Sequence, residues 1–221
     1  MQKEIVILAK SIKNGKYCIA GKDVETKEWI RPVPTEDGKE LSGEQSKSYF
    51  VDNNGNPVGY PCKPLQKVRI NFLKHVPLPY QAENYLIDDS KWMQNYKINN
   101  HELNQYLDKP QVLWNTSDHI KSTDLNRYNP NGNSLYLIQA NNINLLCTYN
   151  NNSKNRRISF DYNGNKYDLR CTDPEFDKII GSGNNKQIDS AILCISLAAP
   201  FEHNSYPSEI RHYKLVAAIY L

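Results

Sequence analysis

The sequence contains no run of about 18 apolar residues, which is the length that a helix needs to cross the apolar interior of a membrane. Its first apolar stretch, residues 5–9, is too short for the apolar segment of a signal peptide, and no small-residue cleavage site follows it. We therefore expect a protein that makes no membrane contacts and that works in the cytoplasm.

Cysteine is scarce, and its spacing argues against a common class of metal site. The five cysteines lie far apart, and none belongs to a Cys-x-x-Cys pair or to a Cys/His ligand pattern. In a cytoplasmic protein such residues are most simply buried thiols. The sequence therefore predicts no metal site and no cofactor.

A strong charge of one sign is also missing. The 221 residues carry a net charge of +3 at pH 7, which permits a nucleic-acid partner but does not require one. Any electrostatic binding site must come from local clusters of charge. Tyrosine, by contrast, is abundant with 15 residues. Its apolar ring and polar tip suit both half-buried strands and wet binding surfaces.

The residues that are present form short strand patterns separated by turn signals. The first part of the chain reads as strands at residues 4–9, 17–24, 28–33 and 66–76. The clearest hairpin lies at residues 156–171, where apolar and polar residues alternate on both sides of an Asn-Gly turn. Two final apolar runs, SAILCISLA and YKLVAAIYL, predict buried strands.

Two short helices are expected between these strands. The first follows Asn100 and ends before Pro110. The second starts with a capping box at residues 172–175 and ends at Gly181. Each half of the chain thus combines several short strands with one short helix.

This pattern has the scale of a small Greek-key barrel of the OB type. We predict a mainly β protein with a few short helices, built from two small OB-like β-barrels packed together. A turn signal at residues 129–132 sets the boundary between them. Residues 1–128 would form an N-terminal barrel with an irregular insertion, and residues 129–221 a C-terminal barrel. A single β-sandwich is the alternative, although it does not explain the two helices.

Four short blocks carry a resemblance to a known family. ILAKSIKNGKYCIAG, WIRPV, CISLAAPF and HYKLVAAI resemble the bacterial dual OB-containing domain family, and they lie near both ends of the chain. The resemblance implies two OB barrels in one chain and a nucleic-acid or nucleotide ligand, and it implies no agreed catalytic residues. Lys16 departs from the family pattern, which often has a second glycine there.

The pair Trp29 and Arg31 is the first candidate binding site. If Ile30 faces the core, both neighbours face outward, because side chains alternate along a strand. An exposed indole stacks nucleobases, at about 1–3 kcal/mol per base, and an arginine contacts phosphate. The third strand of an OB barrel also lies on its usual ligand face. The alternative is that Trp29 packs in the core and Arg31 pairs with a carboxylate.

Two basic clusters are further candidates. The segment KNRR, which ends at Arg157, could clamp phosphate and would make affinity depend on salt. His212, Tyr213 and Lys214 form a mixed basic and aromatic cluster, with His212 and Lys214 on one face of a strand and Tyr213 on the other. Solvated or structural roles are the alternatives for both clusters.

We therefore expect a non-enzymatic protein that binds single-stranded nucleic acid or a nucleotide-like ligand, with no catalytic residue. One alternative is a nucleotide- or nucleic-acid-processing enzyme that uses Cys194 or Ser196 with His203. The apolar surroundings of Cys194 argue against that enzyme, because such thiols are inert. Another alternative is a protein-interaction module of a bacterial defence or regulatory system.

Overall fold

The computed structural model describes residues 1–13, 15–150, 153–202 and 209–221. It divides the chain into two compact units, Met1–Tyr106 and Leu107–Leu221. This boundary precedes the one expected after residue 128, and the division into independent domains stays a prediction. Among the described residues, no helix combines the length and the apolar character needed to cross a membrane.

The described part of unit 1 forms strands and one 3₁₀ helix. The strands are β1 (Gln2–Lys13), β2 (Lys16–Asp23), β3 (Trp29–Val33), β4 (Lys47–Val51), β5 (Pro57–Pro61), β6 (Gln66–His75), β7 (Asn84–Ile87) and β8 (Trp92–Lys97). The 3₁₀ helix Asn100–Tyr106 follows them, where the sequence predicted a helix.

Five of these strands close into a ring. β1 pairs antiparallel with both β2 and β6, and β2 pairs antiparallel with β3. β3 then runs parallel to β7, which returns antiparallel to β6. The result is the five-stranded Greek-key barrel expected for an OB unit. β8, β4 and β5 extend the sheet outward from β6.

The interior of this barrel is filled by alternate side chains of its strands, because successive side chains point to opposite faces of a sheet. Alternate residues of β1, Ile5 and Ile7, meet Ile19 of β2 and Ile30 of β3 in one buried cluster. Each fully buried aliphatic side chain of this kind contributes roughly 1.5–3 kcal/mol of transfer free energy. Gly21 lets β1 and β2 approach, since a Cβ atom there would overlap the Val6 carbonyl group.

The described part of unit 2 contains a second set of strands with three short helical segments. These are β9 (His119–Lys121), the 3₁₀ helix Ser122–Asp124, α1 (Leu125–Tyr128), β10 (Leu135–Asn150), β11 (Ser153–Tyr162), β12 (Asn165–Cys171), α2 (Phe176–Ile180), β13 (Asn185–Leu197), β14 (Phe201–Glu202) and β15 (Ile210–Tyr220).

Unit 2 repeats the ring connectivity of unit 1. β10 pairs antiparallel with β11 and β13, and β11 pairs antiparallel with β12. β12 runs parallel to β15, and β15 pairs antiparallel with β13, which closes the ring. Mainly β structure with two OB-like units is therefore confirmed.

The hairpin predicted in the second half is present as β11 and β12. Tyr162 pairs with Asn165 across a two-residue turn. The turn residues Asn163 and Gly164 both have positive φ angles, as the tight hairpin turns require.

The predicted capping box before α2 is wrong. Glu175 stands at the N-cap, and no side-chain hydrogen bond caps the helix there. Asp173 instead accepts hydrogen bonds from the backbone N–H groups of Glu175 and Ile219, at 2.8 and 2.7 Å. The carboxylate therefore ties the start of α2 to β15, which is a contact between residues distant in sequence.

Candidate nucleic-acid interface

The outer face of β10, β11 and β12 in unit 2 presents a row of exposed side chains. Leu146 of β10 lies opposite Arg157 of β11, which in turn lies opposite Arg170 of β12. Their neighbours Ile158 and Leu169 are buried in the barrel, so the alternation along each strand turns the two arginines outward. Two guanidinium groups therefore stand side by side on adjacent strands.

Arg157 is held in place by a diagonal contact with Asp168. Its Nε donates to Asp168 Oδ1 at 2.9 Å, and its Nη2 donates to the Asp168 carbonyl oxygen at 2.8 Å. A guanidinium group has five N–H donors, so these two bonds leave donors that can reach an anion. Arg170 is exposed and has no ion-pair partner within the described ranges of the chain.

The rest of this face is polar and mildly positive. Arg157, Arg170 and exposed Lys166 supply three cations against the carboxylates of Asp168 and Asp161. A small excess of positive charge beside hydroxyl and amide groups suits a phosphate backbone that is also in contact with water.

The other two basic residues of the segment KNRR, Lys154 and Arg156, form ion pairs with Asp177 of α2. Lys154 Nζ and Arg156 Nη2 contact Asp177 Oδ2 at 2.9 and 2.8 Å, and Arg156 Nε contacts Asp177 Oδ1 at 2.9 Å. Hydrogen bonds from Arg156 and then Lys154 hold the pKa of Asp177 well below its ordinary range. The segment is therefore divided, with Arg157 on the outer face and the other two cations bound to α2.

In unit 1, Arg31 forms an internal ion pair. Ile30 is buried, as expected, and the Arg31 side chain is only 12% exposed. Its Nε lies 3.2 Å from Glu83 Oε1, and its backbone N–H donates to the Glu83 carbonyl oxygen at 2.8 Å. This geometry matches the alternative in which Arg31 pairs with a carboxylate.

Trp29 is half-buried, and its ring contacts a buried lysine. Lys22 Nζ lies 5.2 Å from the centroid of the Trp29 ring and donates to the Tyr106 carbonyl oxygen at 2.8 Å. Lys27 Nζ lies 4.3 Å from the centroid of the Tyr106 ring. The 3₁₀ helix at the end of unit 1 is therefore tied to the β2–β3 surface that carries Trp29.

His212 and Lys214 share a face of β15, as the sequence predicted, but that face is buried. His212 Nδ1 lies 3.0 Å from the Ala198 carbonyl oxygen, and its Nε2 lies 3.1 Å from Ser122 Oγ. Burial lowers the pKa of His212 below its ordinary value and so favours the neutral imidazole.

The Lys214 ammonium group sits in a set of oxygen acceptors. Its Nζ donates to the carbonyl oxygen and Oδ1 of Asn115, each at 2.6 Å, and to the carbonyl oxygen of Ser117 at 2.5 Å. These bonds use all three N–H donors. Burial lowers the pKa of Lys214 to about 7. Lys214 therefore anchors a neighbouring segment instead of facing solvent.

Tyr213 lies on the opposite, half-buried face of β15. Its ring centroid is 5.6 Å from that of His119 and 6.2 Å from that of Phe201. Phe201 is exposed, so the edge of this aromatic cluster reaches solvent. Arg157 and Tyr213 are thus only half-buried, whereas His212 and Lys214 are buried.

The structure describes two of the three residues considered for nucleophilic catalysis. Cys194 is completely buried in β13, and Ser196 is half-buried. His203 lies outside the described residues. Over the part of the chain that the structure covers, no group of three or more His, Cys, Asp or Glu side chains is arranged to hold a metal ion.

Sequence reasoning did not single out Leu146, Arg170 and Lys166, which lie on this exposed face. The signal was present, because Arg170 alternates with the apolar residues Leu169 and Cys171 in the recognised hairpin. What the sequence does not reveal is the register that sets Arg170 beside Arg157.

Comparison with known proteins gives a match over nearly the whole chain. The model of a family described as "Dual OB-containing domain" matches residues 3–219. No curated protein shows a significant match to the sequence.

Proposed function

The chain belongs to the dual OB-containing domain family, and on that basis we propose that it binds single-stranded nucleic acid or a nucleotide-like ligand on the outer face of β11 and β12. OB barrels commonly bind oligonucleotides on the face of their second and third strands. β11 and β12 are the second and third strands of the ring in unit 2.

The single observation that carries this proposal is the adjacent pair Arg157 and Arg170. Both are on the face that we propose for the ligand, both point outward, and Arg157 is already oriented by Asp168. A guanidinium group with a fixed orientation loses less conformational entropy on binding phosphate than a mobile one does. We assign phosphate contacts to both arginines and an apolar contact with a base or sugar to Leu146.

The other candidate residues have different roles in this proposal. Tyr213 is a candidate stacking residue because its cluster reaches solvent through Phe201. His212 and Lys214 support β15 from its buried face. Trp29 contacts Lys22, which is bonded to the 3₁₀ helix Asn100–Tyr106, and Arg31 is paired with Glu83, so neither is assigned a ligand contact.

Titration of labelled oligonucleotides tests whether such binding occurs. Single-stranded DNA, single-stranded RNA and a labelled mononucleotide would be followed by fluorescence anisotropy at low and at near-physiological salt. We expect salt-sensitive binding of at least one of them, because phosphate contacts release counterions. Absence of binding of all three at low salt would contradict the proposal.

A second candidate function, that of a protein-interaction module, is favoured by the hairpin of β4 and β5. The rings of Phe50 and Tyr60 stack with centroids 5.6 Å apart, and both side chains are exposed, at 42% and 52%. Exposed aromatic pairs are frequent at protein interfaces. If this function applies, changing both residues to serine removes partners captured by crosslinking in cells and leaves oligonucleotide affinity unchanged.

A further inference from the structure

Ser122 and His212 form a contact that the proposed binding function does not use. Ser122 begins the 3₁₀ helix directly after β9, and β9 pairs with β15 so that Ile120 lies opposite His212. This pairing brings Ser122 Oγ to 3.1 Å from His212 Nε2. Two residues that are 90 positions apart in the sequence are therefore joined side chain to side chain.

A third group orients the imidazole. His212 Nδ1 lies 3.0 Å from the Ala198 carbonyl oxygen, which can only accept a hydrogen bond. The Nδ1 atom of the neutral ring must therefore carry the proton, and Nε2 is left as an acceptor. The Ser122 hydroxyl group is consequently the donor in its contact with Nε2. The Ser122 hydroxyl group, the His212 imidazole and the Ala198 carbonyl oxygen are thus connected by two consecutive hydrogen bonds, as a nucleophile, a base and a group that orients the base would be.

Ser122 also lines a cavity, whereas His212 is buried behind it. The cavity has a volume of about 320 Å³ and is bordered by Lys121, Ser122, Thr123, Glu209 and Ile210. Lys121 Nζ and Arg211 Nε each contact Glu209 at 2.5 Å, so the carboxylate is engaged by two cations. A cavity large enough for a small electrophile therefore borders Ser122.

We propose that Ser122, with His212 as its general base, is a nucleophile that accepts the acyl group of a small carboxylic ester. Ser122 Oγ forms a bond to the ester carbonyl carbon while its proton passes to His212 Nε2. The bond from that carbon to the leaving oxygen then breaks, and the leaving alcohol takes the proton from His212. The products are one acyl-serine and one alcohol, and water acting through His212 hydrolyses the acyl-serine to a carboxylic acid.

This activity uses different side chains from the oligonucleotide site. It uses Ser122 and His212, which is on the buried face of β15, whereas the proposed phosphate contacts lie on β11 and β12. The candidate stacking residue Tyr213 lies on the opposite face of β15. The opposing interpretation is that the Ser122 hydroxyl group only satisfies the hydrogen-bonding capacity of a buried histidine. The two interpretations differ in one measurable property, which is the reactivity of Ser122 toward electrophiles.

A fluorophosphonate probe measures that reactivity in the full-length protein. Attack by Ser122 Oγ forms a P–O bond and breaks the P–F bond, and fluoride leaves while His212 takes the hydroxyl proton. We expect peptide mass spectrometry to locate the adduct on Ser122 of the wild-type protein. Ser122→Ala should abolish labelling, and Ser182→Ala, which removes an exposed hydroxyl group after α2, should not alter its rate.

His212→Gln then shows whether labelling of Ser122 depends on His212 as a base or only on the accessibility of the hydroxyl group. General-base assistance contributes roughly 10²- to 10⁴-fold, so we expect the labelling rate of Ser122 to fall by at least about tenfold. Thermal unfolding shows whether each variant remains folded, and the mass-spectrometric result on the wild type does not depend on any variant. An unlabelled Ser122 in the wild type, or an unchanged rate in a folded His212→Gln variant, would overturn the proposal.

Discussion

The Arg157 guanidinium group donates to the Asp168 carboxylate at 2.9 Å along the diagonal between β11 and β12. Arg170, which lies directly opposite Arg157, is left exposed beside this pair. One arginine on the face is therefore held by a carboxylate, and the other is exposed to solvent. Such a combination suits a flexible, negatively charged chain, because one contact sets its position and the other can adapt.

Arg156→Ala tests whether the segment KNRR is divided between the outer face, which carries Arg157, and α2, which Arg156 contacts. Arg156 binds Asp177 and not the outer face, so we expect oligonucleotide affinity to change by less than about twofold. The free energy of unfolding should fall by only about 0.5 kcal/mol, since the pair is partly exposed and screened by solvent. Anisotropy and urea denaturation measure the two quantities. A large loss of affinity with unchanged stability would place Arg156 in the binding site.

Trp29→Ala should lower stability more than affinity. The change removes packing on the β2–β3 surface and the contact with the Lys22 ammonium group. We expect a loss of about 2 kcal/mol in the free energy of unfolding, which is below the roughly 3–5 kcal/mol typical of fully buried aromatic truncations because Trp29 is only half-buried. Urea denaturation and anisotropy on the same preparations decide the matter. Loss of binding in a fully stable variant would restore Trp29 as a stacking residue.

Gly21→Ala should destabilise unit 1. The added Cβ atom would overlap the Val6 carbonyl group, and backbone cannot move aside as easily as a side chain. Overpacking of this kind costs about 1–3 kcal/mol. Gly43→Ala is the matched control, because the nearest atom to its Cβ would be a Tyr17 ring carbon at 3.9 Å. Equal stability of the two variants in urea denaturation would contradict the close approach of β1 and β2.

Lys214 should make stability depend on pH in the alkaline range. Its pKa is lowered from 10.5 to about 7 in the folded state, so between these values the unfolded chain binds more protons than the folded one. Stability therefore rises with pH across this window, by at most about 1.4 kcal/mol per pH unit for one group.

Comparison of the wild type with Lys214→Met isolates this effect, because the other titrating groups are common to both. We expect the stability of the wild type relative to the variant to increase between pH 7 and pH 9 in urea denaturation. A difference that stays constant across that range would show that the buried amine does not titrate there.

Local features of the fold could be predicted from the sequence. The β11–β12 hairpin follows from strict alternation around an Asn-Gly turn, which depends only on neighbouring residues. The hairpin of β4 and β5 was missed, because residues 40–57 are polar and rich in turn formers. Its strands are recognisable only through their pairing with each other and with β8.

Contacts between distant residues could not be predicted. Arg31 meets Glu83 because β3 and β7 run in parallel, and nothing in either local sequence indicates that pairing. The burial of Lys214 likewise depends on the segment from Asn115 to Ser117, about 100 positions earlier. Basic residues near a strand start were therefore read as a surface cluster, although the fold turns them inward.

The most direct test of the central claim compares an Arg157→Ala, Arg170→Ala double variant with Arg69→Ala. Arg69 is an exposed arginine of unit 1, and its replacement controls for the loss of one positive charge elsewhere on the surface. Fluorescence anisotropy with the best-binding labelled oligonucleotide would be recorded over a range of salt concentrations.

We expect the double variant to lose at least about tenfold in affinity. Its salt dependence should decrease by about 1.4 in slope, the value for two lost phosphate contacts on a single strand. Arg69→Ala should retain nearly wild-type affinity. Unchanged affinity and slope in the double variant, or an equal loss in Arg69→Ala, would contradict the assignment of the β11–β12 face as the binding site.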